Sequence, residues 1–129
     1  MVRAVALNSC AENMRHRIGP VSELCAGSSK AYTLNINDKL LNLFVVHHHG
    51  KFYAYENHCP HTGIELNWQP DQFLDITGQR IQCATHGALF RINDGLCEWG
   101  PCLGQRLRPL TIDVQNDELI LTHHNADLA

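Results

Sequence analysis

The chain has 129 residues, 44% hydrophobic and 18% charged, with a formal net charge of −3, and that length holds one hydrophobic core, so a single domain over residues 1–129 is expected. The composition excludes a disordered chain and lacks the basic excess of a nucleic-acid binder. No apolar run approaches the roughly 20 residues that cross a bilayer, and residues 1–7 lack the long apolar segment and cleavage site of an export signal, so the expectation is a cytoplasmic protein with protein partners, no membrane and no nucleic acid.

Along the chain, the first thirty residues carry little pattern: Gly19-Pro20 reads as a turn and Ser22-Glu23-Leu24 as a short helical turn or a strand end. From Ala31 the pattern becomes β. Tyr32 to Ile36 alternates, Asn37-Asp38 turns, Leu40 to Val46 is apolar and branched, and His47-His48-His49-Gly50 leads into Phe52-Tyr53-Ala54-Tyr55. A three-stranded meander follows, with its last strand running directly into Asn57. Three adjacent histidines invite a metal-site interpretation, but neighbouring side chains in a strand point to opposite faces and do not converge on one ion. His16, His123 and His124 have no better claim, and His58 is expected to face solvent or to support its neighbour Cys59.

The chemistry lies in two short pairs, Cys59-Pro60-His61 and, after an interval of 21 residues, Cys83-Ala84-Thr85-His86. Each pair offers one sulfur and one nitrogen from a tight loop. Converging on one ion they make a tetrahedral Cys2His2 zinc site; clasping a dinuclear cluster, the two cysteines take one iron and the two histidines the other. Structural zinc sites usually repeat one ligand type within a pair, whereas each pair here mixes them. That favours the cluster and leaves structural zinc as the alternative.

Between the pairs, Gln72-Phe73-Leu74-Asp75 and Gln79-Arg80-Ile81-Gln82 flank Thr77-Gly78 as a hairpin, and Trp68 is expected to pack. After His86, Ala88 to Arg91 and Leu96 to Trp99 flank Asn93-Asp94-Gly95 as a second hairpin, ending at Gly100-Pro101. Leu107 to Val114 and Glu118 to Thr122 form a last hairpin about Gln115-Asn116-Asp117. The fold expected is all-β. Cys10, Cys25, Cys97 and Cys102 are expected as reduced thiols; Cys97 and Cys102 are close enough in sequence to pair across Gly100-Pro101, but small buried thiols are preferred.

Three segments together resemble the Rieske [2Fe-2S] family, in its soluble ferredoxin-like branch: Asn57-His58-Cys59-Pro60-His61-Thr62-Gly63, Cys83-Ala84-Thr85-His86-Gly87-Ala88-Leu89-Phe90 and Gly95-Leu96-Cys97-Glu98-Trp99-Gly100-Pro101. They cover roughly the middle third of the chain. The resemblance implies a Rieske-type antiparallel β-sandwich or partly open barrel carrying a small cluster-binding subdomain at about residues 56–102. It also implies a [2Fe-2S] cluster on Cys59, His61, Cys83 and His86, with the Gly-Pro loop shielding its third side. The interval between the pairs is longer than is common in the family. In the high-potential branch a disulfide joins the ligand loops, at positions that here are Ile64 and Thr85. That branch also has a Ser and a Tyr where this chain has Ala88 and Phe90, so a low potential is expected.

A Rieske cluster has no open coordination position for a substrate. Family members that hydroxylate substrates carry a further catalytic domain, and only 43 residues follow His86. The expected function is therefore one-electron transfer by a ferredoxin that shuttles between a reductase and an acceptor enzyme such as an oxygenase, with no catalytic site of its own. A small redox subunit of a larger oxidoreductase and a structural zinc-binding interaction module are the alternatives.

Overall fold

The computed structural model describes residues 15–60, 65–67, 69, 71–84 and 87–122. Cys10, His61, Ile64, Trp68, Thr85, His86, His123, His124 and the residue 1–7 segment lie outside these described residues. The elements are β1 (Arg15–Pro20), a 3-10 turn (Val21–Glu23), β2 (Ser29–Ile36), β3 (Lys39–His48), β4 (Lys51–Glu56), β5 (Arg80–Gln82), β6 (Leu89–Arg91), β7 (Cys97–Trp99), β8 (Pro109–Leu110), β9 (Ile112–Gln115) and β10 (Glu118–Thr122). Pairing is antiparallel throughout and gives three sheets, β1-β10-β9, β2-β3-β4-β8 and β5-β6-β7. They do not close into a barrel, and the fold is antiparallel all-β, as expected.

Three tight turns set the strand registers. Asn37-Asp38, His49-Gly50 and Asn116-Asp117 each place both central residues at positive φ, the geometry whose twist matches that of flanking strands. They join Ile36 to Lys39, His48 to Lys51 and Gln115 to Glu118 with two-residue loops. His47, on the strand before one of these turns, stacks on Phe52 at 4.2 Å and donates from Nδ1 to Leu24 O at 3.0 Å. Its partners are thus an aromatic ring and a backbone carbonyl.

β3 divides the interior. Leu41, Leu43 and Val45 face a core with Ile18, Ile36, Leu119 and Leu121, while Phe44 and Val46 face a second core with Phe73, Ile81, Phe90 and Leu107. Successive strand side chains alternate faces, so burial on both faces explains why Leu43-Phe44-Val45-Val46 is unbroken apolar sequence, all four with no exposed surface. Phe44 stacks on Phe73 with centroids 4.3 Å apart, which fixes the segment before β5 against the central sheet.

Two expectations need correction. Gly19-Pro20 is not a turn: both residues continue β1 opposite Leu119 and Glu118, past an irregularity between Arg17 and Gly19. A bulge at a sheet edge tolerates proline because its missing N–H faces outward. The stretch from Leu107 to Val114 is not one strand but splits at Thr111, with Pro109–Leu110 pairing to β4 and Ile112–Gln115 to β10.

Candidate metal centre

β4 delivers the first cysteine. Three residues after the strand ends at Glu56, Cys59 is 1% exposed, and the chain on either side of its loop is tied by Asn57. That asparagine is the one buried polar side chain among the described residues. Its Oδ1 accepts from Leu66 N at 2.8 Å, its Nδ2 donates to Asn67 Oδ1 at 3.1 Å, and its own N–H donates to Asn42 O at 2.8 Å. The side chain thus ties residue 57 to residues 66 and 67, and the backbone N–H of the same residue anchors it to β3. Replacing Asn57 with alanine leaves the Leu66 N–H without its acceptor. A loss of about 1–3 kcal/mol is expected, read as a lower denaturant midpoint.

β5 delivers the second cysteine. Cys83 has no exposed surface, and its loop closes on itself through Cys83 N–H to Ala88 O at 2.9 Å and Gly87 N–H to Cys83 O at 2.7 Å. The two loops meet at Leu66, whose carbonyl accepts from Ala84 N at 2.7 Å. Leu66 therefore receives the first loop's clamp on its N–H and the second loop on its C=O. Among the described residues, the cysteine loops are thus joined by the Ala84–Leu66 backbone hydrogen bond, by the Asn57 clamp on Leu66 and by packing in one apolar cluster. Ahead of Cys83, Asp71 pins the connecting segment to β2, accepting from Ala31 N–H at 2.7 Å and facing Lys30 at 3.7 Å.

The Gly100-Pro101 loop lies against this second loop. A Cβ on Gly100, at φ 112°, would fall 2.8 Å from Ala88 Cα, and one on Gly87 would fall 3.8 Å from the Trp99 ring. Only glycine allows the approach at Gly100. Trp99 and Leu103 stand out from the loop, 61% and 67% exposed. Beneath them Cys97 and Cys102 are buried, with Cys102 Sγ 3.1 Å from Cys97 Sγ and the Cys97 thiol donating to Trp99 O at 3.3 Å. Burial, then the hydrogen bond with Cys97 and the charges of Cys97 and Cys59, push the Cys102 thiol up to about 12. The preferred expectation of small buried thiols holds for both.

A bidentate ion pair fixes the turn that leads into this loop. Arg91 Nε donates to Asp94 Oδ1 at 2.9 Å, Arg91 Nη2 to Asp94 Oδ2, and Leu96 N–H to Asp94 Oδ1 at 3.0 Å. These hydrogen bonds, that of Arg91 first, hold the Asp94 carboxyl at about 2 instead of 3.8. Because the folded value is the lower, the contribution to stability is complete above about pH 4 and disappears as pH falls through about 2. In urea denaturation, the stability gap between the wild type and Asp94→Asn is expected to close over that interval and to stay constant above it.

Of the four expected ligands, Cys59 and Cys83 are described, and both belong to one apolar cluster with Leu66, Phe73, Ile81, Ala88 and Phe90. His61 and His86 lie outside the described residues. Two buried sulfurs on loops joined through one residue, with no buried charge among the described residues, suit a soft-metal thiolate centre. The sequence motif contained Asn57 but did not reveal its role, which appears only once Leu66 is folded back beside it.

The comparison with curated proteins returned no match. Among solved structures, the complex of reduced oxygenase and oxidized ferredoxin in carbazole 1,9a-dioxygenase contains a chain similar over 87% of this protein and 95% of that chain, at 21% identity and a TM-score of 0.68. The ferredoxin of carbazole 1,9a-dioxygenase from Nocardioides aromaticivorans IC177 is similar over 84% of this protein and 97% of that chain, at 20% identity and a TM-score of 0.66. A chain in the reduced complex between oxygenase and ferredoxin in carbazole 1,9a-dioxygenase matches 88% of this protein at 22% identity and a TM-score of 0.71, the match spanning 29% of that chain. At these identities the likeness is one of fold. The Rieske [2Fe-2S] domain model matches residues 14–124, nearly the whole chain, and the protein therefore belongs to the Rieske [2Fe-2S] domain family.

Proposed function

We propose that this protein is a one-electron carrier whose [2Fe-2S] cluster is held by Cys59 and Cys83 as thiolates on one iron and by His61 and His86 through one ring nitrogen each on the other. Membership of the family carries the cofactor. The bound cluster supplies reversible uptake of a single electron. What supports the ligand assignment is the junction at Leu66, which brings the loops of two buried cysteines into one apolar cluster. The chain's own contribution is to exclude water and to hold the sulfurs in place: Asn57 closes the first loop, the Cys83–Ala88 hydrogen bond closes the second, and the stiff Gly100-Pro101 loop covers the latter. The cluster-binding part spans about residues 56–102 of a single domain.

The donor in this proposal is a reductase and the acceptor an oxygenase, the latter suggested by the similar chain found in a ferredoxin and oxygenase complex. Among the described residues no helix is long and apolar enough to cross a membrane, and the location proposed is cytoplasmic. Affinity purification of the native protein tests the carrier directly. Partners that wash away at nanomolar concentration, yet exchange electrons with it in stopped-flow mixing, are expected. A stoichiometric complex that survives dilution would make it a fixed subunit of a larger oxidoreductase instead.

A further inference from the structure

We propose that Cys97 and Cys102 are a reversible oxidation site, closing to an intraloop disulfide that locks the 99–102 loop against the second cysteine loop. Their sulfurs stand 3.1 Å apart, about 1 Å beyond the roughly 2.05 Å of a disulfide bond. The backbone around them is already fastened in a closed loop: Cys97 N–H donates to Gln105 O at 2.8 Å, Gln105 N–H to Cys102 O at 2.8 Å, and Gly104 N–H to Cys97 O at 3.1 Å. Closing the bond is therefore a matter of side-chain approach. Cys97 and Cys102 are each 1% exposed, while Pro101 and Leu103 on either side of Cys102 are exposed, which places the pair in a surface loop. A small oxidant reaches them by a local opening.

The oxidant class is a low-molecular-weight disulfide. One cysteine attacks it through a mixed disulfide, and the other displaces the second thiol. The Sγ–Sγ bond forms, both S–H bonds and the oxidant's S–S bond break, and two electrons and two protons leave in two small thiols. The consequence follows from position. Gly100 lies between the two cysteines and against Ala88, so the disulfide removes freedom from the segment that packs on the loop carrying Cys83.

The test equilibrates the purified holoprotein in glutathione buffers from reducing to oxidising, quenches it in acid, alkylates and digests with trypsin. Residues 92–106, between Arg91 and Arg106, form one peptide that holds Cys97 and Cys102 and no other cysteine. It is expected to pass from doubly alkylated to unalkylated and two hydrogens lighter, and to return on reduction, while exposed Cys25 is taken as a glutathione adduct. A peptide that stays doubly alkylated in the most oxidising buffer, or that carries glutathione on single cysteines, overturns the pair. Amide exchange in the 99–105 segment is expected to slow by on the order of tenfold in the oxidised form and to be unaffected by oxidant in Cys102→Ser. Unchanged exchange in a disulfide-bonded protein overturns the locking. Visible absorbance in the same samples reports separately on the metal centre, so a colourless protein that still forms the disulfide counts against the centre and for the pair.

Discussion

Serine in place of Cys83 is expected to give a colourless protein that retains no iron. Cys83 has no exposed surface and sits among Leu66, Ile81, Ala88 and Phe90, apolar side chains that offer no ligand in place of its sulfur. A serine hydroxyl is not a thiolate at neutral pH, and iron–sulfur clusters depend on soft thiolate ligands. Cys59→Ser is expected to do the same from the first loop, and His61→Ala and His86→Ala to abolish the Rieske-type spectrum from the other iron. Cys25, which is exposed and belongs to neither ligand pair, supplies the comparison: Cys25→Ser should keep full colour. Iron content per chain and the visible spectrum read all five variants. A Cys83→Ser or His86→Ala protein with an unchanged spectrum would reject the ligand assignment. Because the metal couples to folding, variants that lose the cluster are also expected to unfold at lower denaturant.

A midpoint potential near the low end of the Rieske range, roughly −150 mV and not +300 mV, is the second large expected effect. Hydrogen bonds to the sulfurs are one of the protein's main controls on potential, since they withdraw negative charge and favour the reduced state. The family's high-potential members have a serine and a tyrosine where this chain has Ala88 and Phe90. Both are buried, 1% and 0% exposed, in the cluster of residues that holds Cys59 and Cys83, and neither side chain has a proton to donate. Phe90→Tyr is expected to raise the potential. If its hydroxyl favours the reduced state by about 1.4 kcal/mol, the rise is on the order of 60 mV for one electron. Ala88→Ser should act in the same direction, though Gly100 crowds that side chain. Protein-film voltammetry near neutral pH checks both. A wild-type midpoint above about +100 mV would overturn the low-potential carrier.

Much of this architecture was legible because its signals are local. Asn37-Asp38, His49-Gly50 and Asn116-Asp117 are residues that tolerate the left-handed conformation, and each sits between apolar runs that the resulting two-residue turns bring into register. The cysteine motifs were legible for a similar reason, as ligand pairs are short and chemically distinctive. What the sequence concealed is long-range. β1 was missed because its partner β10 lies about a hundred residues away, and its own six residues end in Gly19-Pro20, which imitate a turn. Thr111 divides two strands between two sheets, and an apolar pattern does not say to which sheet each half belongs. Asn57 shows the same limit within the site. Its type and position were visible, but its work depends on Leu66 returning beside it and passing the second loop's hydrogen bond onward.

Counting metal and electrons on one sample discriminates most sharply between a Rieske carrier and a structural zinc module built on the same Cys59, His61, Cys83 and His86. Protein purified without oxygen should contain two irons and two acid-labile sulfides per chain, and a reductive titration followed by absorbance and electron paramagnetic resonance should end after one electron. A colourless protein holding one zinc per chain and taking up no electron would contradict it.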